Sequence, residues 1–122
     1  MKAAFDAVKL LDHFMNDEEI ALPLISRFIE RTKAQLEAVP GLETAGDWES
    51  ARRYAHMIKG SGPSMGGEDL GEAAARLELA YKNTDKDEME AALPALQKAF
   101  ECYKTEAEDF IRVKKSAGNA RG

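Results

Sequence analysis

Apolar positions recur along the chain at intervals of three and four, the period of helices that each bury one face. Val, Ile and Thr are sparse and never alternate with polar residues, so no strand is predicted. The spacing predicts a short first helix over Phe5 to Met15, with Val8, Leu11 and Met15 on one side. Asn16 then caps a second helix, and Glu19 three residues on completes a capping box. That helix carries Ile20, Leu24, Phe28 and Leu36 to about Ala38, with a kink or broken turn at Pro23 and a stop at Pro40-Gly41. A third helix runs from its cap at Asp47 to Gly62, where Pro63 bends or ends it. Gly66 and Gly67 read as turn residues. A fourth helix over Glu68 to Lys82 holds Leu70, Ala74, Leu77 and Tyr81, and Asn83-Thr84-Asp85 turns the chain. Asp85 and Glu88 form another capping box.

The last helix has the most regular pattern: Met89, Leu93, Leu96, Phe100, Tyr103, Ala107 and Phe110 repeat by four and three, with a bend expected at Pro94. Lys114 to Gly122 is polar and reads as a frayed, flexible tail, which sets the domain at residues 1–113. Four long amphipathic helices with short connections predict an all-α, antiparallel four-helix bundle, the short first helix lying across one end as a lid. At 122 residues and 44% apolar, the chain can fill one such core.

Charge and composition narrow the function. Lys and Arg number 17 against 22 Asp and Glu, a formal net charge of −5, which argues against nucleic acid as the partner. No apolar run reaches membrane-spanning length. The start, Met1-Lys2-Ala3-Ala4-Phe5-Asp6, lacks the apolar stretch of a signal peptide. A cytoplasmic protein with no membrane partner is expected. The single cysteine, Cys102, reads as a small core residue in a reducing compartment.

One residue breaks the amphipathic pattern. In the third helix Trp48, Ala51, Ala55, Ile58 and Gly62 form the buried stripe, and at about 100° per residue His56 points roughly 130° away from its centre. Its helical neighbours are Arg52, Arg53, Lys59 and Gly60, at i−4, i−3, i+3 and i+4. An imidazole thus stands in solvent within a basic collar, beside a position without a side chain. The other histidine, His13, lies on a different helix, so neither a metal site nor an acyl-transfer triad is built, and His13 reads as surface or core edge. The collar suits a phosphoryl group: Lys59 can reach an added oxygen, and Arg52 and Arg53 supply background potential, although they serve equally as ordinary surface charge. Gly60 leaves a gap through which another protein can close over the ring. Met57 and Met65 serve equally as adaptable partner contacts or as core trim.

These residues carry a resemblance. His56-x-x-Lys59-Gly60-Ser61, with Gly66 ten residues past the histidine, Leu77-Glu78 on the next helix, and the upstream Ala45-Gly46-Asp47-Trp48 and Arg53-Tyr54-Ala55-His56, resembles the histidine-containing phosphotransfer (HPt) domain over roughly Phe5 to Ile111. Pro63-Ser64, where a helix usually carries on, departs from the pattern. The resemblance implies a monomeric phosphocarrier without kinase activity of its own. It would shuttle phosphate between a histidine or hybrid kinase and the aspartates of response-regulator receiver domains. It implies His56 as phosphoacceptor and Lys59 as the nearby cation; Nε2, which projects furthest from the backbone, is the ring nitrogen expected to take the phosphate. Arg52, Arg53, Met57, Gly60, Pro63 and Ser64 become the candidate partner-binding residues. The chain would bring no cofactor, because the Mg²⁺ and its acidic pocket belong to the receiver. Two further readings stand beside this one: the phosphoacceptor domain of a chemotaxis-type kinase, and an adaptor that binds receivers without accepting phosphate.

Overall fold

The computed structural model describes residues 3–121, with side chains described as far as Ala117. Met1 and Lys2 of the start, and Gly122 of the expected tail, lie outside the described residues. The described chain is all helical, with five helices: α1 (Ala7–His13), α2 (Glu18–Thr44), α3 (Trp48–Ser64), α4 (Glu68–Lys82) and α5 (Lys86–Arg121).

α1 is shorter than its apolar pattern predicts. Asp6 caps it by accepting from the Lys9 N–H at 3.0 Å. Met15 and Asn16 both take left-handed backbone, with φ of 55° and 62°, and the chain turns there. Asn16 therefore cannot cap α2. Asp17 does so instead, accepting from the Ile20 N–H. The buried face of α1 is Leu10, with Leu11 half-buried, while Val8 and Met15 are exposed. Ile20 is exposed as well, and α2 buries Ala21, Ile25, Phe28, Ile29, Leu36 and Val39.

Pro40-Gly41 does not end its helix, whereas α3 stops one residue beyond Pro63. α2 runs on to Thr44, whose hydroxyl donates to the Pro40 carbonyl at 3.0 Å. Pro40 is exposed while Val39 is buried, so the missing donor faces water and the apolar stripe continues beneath it. α3, capped by Asp47 at Ser50, continues through Pro63 to Ser64 before Gly66 turns the chain at φ +78°. Its expected stripe holds: Ala51, Ala55, Ile58 and Gly62 are buried, and the half-buried Trp48 stacks on Tyr81 with ring centroids 6.3 Å apart.

α4 matches its predicted span, and Asp85 accepts from the Glu88 N–H at the start of α5. Met89, Leu93, Leu96, Phe100, Tyr103 and Ala107 are buried as the seam predicts, with Phe110 half-buried. Cys102 lies off that seam and is exposed, not a core residue. Where a polar tail is expected from Lys114, helical backbone carries on, and Lys114 pairs with Glu18 at 2.9 Å.

Four helices close on one another: α3 packs on α2 and α4, and α5 on α4 and α2. α1 rests on α2 and α3. The residues before it are tied to the turn after α3. The Asp6 N–H donates to the Gly66 carbonyl at 2.7 Å, the Tyr103 hydroxyl donates to the Met65 carbonyl at 2.7 Å, and Phe5 meets Tyr103 edge-on. Gly66 and Gly67 are thus close-approach positions as well as turn residues: a Cβ on Gly66 would lie 2.6 Å from the Asp6 carbonyl oxygen, and one on Gly67 2.9 Å from the Tyr103 ring. Among the described residues no helix is long and apolar enough to cross a membrane.

Candidate functional site

The separation of α3 and α4 is set by two glycines. A Cβ on Gly62 would stand 3.1 Å from the Gly71 amide nitrogen, and one on Gly71 would stand 2.8 Å from Pro63 Cδ. This close backbone approach brings opposing side chains one turn or more away within hydrogen-bond reach. His56 lies six residues before Gly62 and Glu78 seven after Gly71, so the two come level.

His56 is on the outer face, its side chain 60% exposed. Its Nδ1 lies 2.6 Å from Glu78 Oε2, and Lys59 Nζ donates to Glu78 Oε1 at 2.6 Å. Arg52 donates to Glu49 at 2.9 Å and holds a second nitrogen 3.9 Å from Glu78 Oε2. Glu78 is therefore the common acceptor of the collar. Burial opposes its charge, but the hydrogen bonds from Lys59 and His56 outweigh that and hold its carboxyl below the ordinary carboxylate range. A carboxylate only accepts, so His56 Nδ1 carries the proton toward it. In the neutral ring the available lone pair is then on Nε2, the nitrogen away from Glu78. An exposed nitrogen nucleophile with its tautomer fixed is equipped for covalent group transfer.

The remaining predicted residues sort by element. Arg53 is exposed and acts on Asp47 and Glu49 at the start of α3, not on the Glu78 cluster. Met57, 40% exposed, receives the Gln35 amide on its sulfur at 3.6 Å. Met65 is buried, which decides for core in its case. A Cβ on Gly60 would meet nothing within 4 Å, so no helix packing accounts for that glycine. Pro63 and Ser64 are half-buried. Lys59 and Pro63 border a shallow cavity of about 350 Å³ that extends along α4 past Gly71 and Ala75. His13 is exposed, with its ring against Phe14, and takes no part. Among the described residues no group of three or more His, Cys, Asp or Glu converges on a metal position.

Glu78 is the site residue that periodicity alone does not assign. It sits next to Leu77, beside the apolar stripe of its helix, and its partners belong to another helix. The usable signal is the pair Gly62 and Gly71, whose matching small positions set the two helices close and in register.

The sequence profile of the Hpt domain matches residues 23–111. No curated protein matches the chain. Among solved structures, the fold is similar to the crystal structure of histidine-containing phosphotransfer protein B (HptB) from Pseudomonas aeruginosa PAO1. The TM-score is 0.83 at 19% identity, over 92% of this chain and 97% of that one. With the profile spanning most of a helical chain that presents an exposed, hydrogen-bonded histidine, this protein belongs to the Hpt domain family.

Proposed function

We propose that the protein is a phosphocarrier that shuttles a phosphoryl group between His56 and the aspartate of receiver domains, within a cytoplasmic phosphorelay fed by a histidine or hybrid kinase. The observation that carries this reading is the bond from His56 Nδ1 to Glu78, which leaves Nε2 as the exposed nucleophile. On this reading Nε2 attacks the phosphorus of the receiver's aspartyl phosphate, the P–O bond breaks, and the aspartate leaves as a carboxylate. Lys59, half-exposed beside the ring, turns to the new phosphoryl oxygens. The receiver brings the Mg²⁺ and the acidic pocket, and this chain brings no cofactor and no kinase activity of its own. Gly60 admits the partner, and Arg52, Arg53, Met57, Pro63 and Ser64 border its approach. The scaffold is an antiparallel four-helix bundle of α2 to α5 with α1 laid across one end, and it acts as a monomer.

The test is transfer of radiolabelled phosphate from a receiver domain charged with acetyl phosphate. The wild-type protein and His13→Gln take up acid-labile, alkali-stable label, whereas His56→Gln takes up none. Label on His56→Gln would overturn the assignment, and uptake dependent on Lys59 alone would place the phosphate elsewhere.

A further inference from the structure

We infer that Met57 is an oxidative modification site, at which a peroxide forms predominantly one of the two methionine sulfoxide epimers because Gln35 holds the other side of the sulfur, and that the added oxygen weakens docking over His56. The chemistry at Met57 stands by itself. Its effect on transfer rests on His56 being the phosphoacceptor.

Among the described methionines, Met65 and Met89 are buried, Met57 is 40% exposed, and Met15 is 89% exposed on the turn before α2. A small oxidant in solvent therefore reaches Met15 and Met57, and of these Met57 directly follows the exposed His56 on α3. The Met57 sulfur is also held. The Gln35 Nε2–H donates to Met57 Sδ at 3.6 Å. Gln35 is only 7% exposed and lies on the buried face of α2 beside Leu36. A buried amide needs an acceptor, and here the thioether supplies one. Sulfur has two lone pairs. One is turned inward to Gln35, and the other is left for solvent. Oxygen added on the inner pair would have to displace a packed side chain, so attack is confined to the outer pair.

The oxidation balances with hydrogen peroxide as the oxidant. The outer lone pair of Sδ forms the S–O bond, the O–O bond breaks, and its electron pair goes to the departing oxygen as hydroxide. The proton on the sulfur-bound oxygen passes to that hydroxide, so the products are the sulfoxide and water. Sulfur loses two electrons and the peroxide gains two. An apolar side chain has become polar and chiral. Its oxygen stands outward, one residue from His56, on the surface a receiver must cover to reach the ring. Covering it buries an acceptor for which no donor was provided. A small phosphodonor has no need to cover it.

The experiment treats the folded protein with hydrogen peroxide. Cys102 is exposed and also reacts, so every protein carries Cys102→Ser. Trypsin then releases Met57 in residues 54–59 and Met15 in residues 10–27, each with a single methionine. The peptides are offered to the two classes of sulfoxide reductase, each of which reduces one epimer. One class should reduce nearly all of the Met57 sulfoxide and the other almost none, while the Met15 sulfoxide divides between them. Gln35→Leu should make Met57 divide as well. Transfer from a charged receiver should fall about tenfold on oxidation, and labelling by a small phosphodonor should hold. Met57→Leu, whatever its own starting rate, should lose that sensitivity, and Met15→Leu should keep it. A Met57 that stays reduced while Met15 is oxidised, or an even division of its epimers in the wild type, would overturn the modification site as drawn. A single epimer that persists in Gln35→Leu would overturn the part given to Gln35. Unchanged transfer by the oxidised protein would overturn the effect on docking. If the untreated protein takes up no label, the phosphoacceptor reading falls, and the epimer measurement still decides the chemistry at Met57.

Discussion

Lys59 and Gly60 are adjacent in sequence and opposite in surroundings. Lys59 is engaged with Glu78, while Gly60 has open space where a side chain would stand. Removing the Lys59 ammonium should leave the fold intact, because a half-exposed ion pair contributes about 1 kcal/mol or less. Lys59→Ala is expected to slow transfer, and the deficit should shrink as salt rises, since the lost interaction with phosphate is screened. Transfer rates measured at low and high ionic strength check this. Gly60→Gln tests the opposite kind of position. Glutamine is the better helix former by up to about 1 kcal/mol, and nothing in the fold obstructs it. Thermal stability should therefore be kept or raised, while transfer with a receiver falls sharply and labelling by a small phosphodonor changes much less. A variant that unfolds early would show that packing, not access, is the role of this glycine.

Helix α4 gives the contrasting glycine. A Cβ on Gly71 would press on Pro63 at 2.8 Å, and both groups belong to packed helices. Gly71→Ala should thus destabilise by about 1–3 kcal/mol through overpacking, outweighing the helix propensity it gains. The paired melting curves of Gly71→Ala and Gly60→Gln, with shifts of opposite sign, are the check. The same element explains what could be read beforehand. The seam of α5 was legible because every step from Met89 to Ala107 obeys a single local period. The exposed face of His56 was legible for the same reason. Helix ends were not. Pro40 carries a local stop signal that α2 runs past with Val39 buried beside it, whereas α3 ends one residue beyond Pro63. The helical period breaks where the chain turns left-handed at Met15 and Asn16, and Val8, Met15 and Ile20 are exposed. Glu78 required knowing how close two helices lie, and that distance depends on residues remote from it in sequence.

For the molecule as a whole, α5 buries its apolar seam against α4 and α2. Leu96 and Phe100 are 0% and 2% exposed, and truncating either to alanine should cost roughly 2–5 kcal/mol, read as a lower denaturation midpoint. Acid adds a second axis. Burial opposes the charge of Glu78, but its bonds from Lys59 and His56 together prevail, so it titrates below its ordinary 4.5 in the folded protein. The stability it contributes is therefore complete above that ordinary value and is lost as pH falls through the lowered one. Glu78→Gln should be less stable at neutral pH and should lose less on acidification, which urea titrations at pH 7 and pH 3.5 would register. The stacking of Trp48 on Tyr81 gives the protein an optical consequence. The chain has one tryptophan, so its emission is an unmixed signal from the junction of α3 with α4, at the end of α3 remote from the Tyr103 and Gly66 ties. If the helices melt as one unit, that emission and the far-ultraviolet dichroism of the backbone trace a single curve. A lag between the two colours would instead time the order in which the two ends of α3 let go.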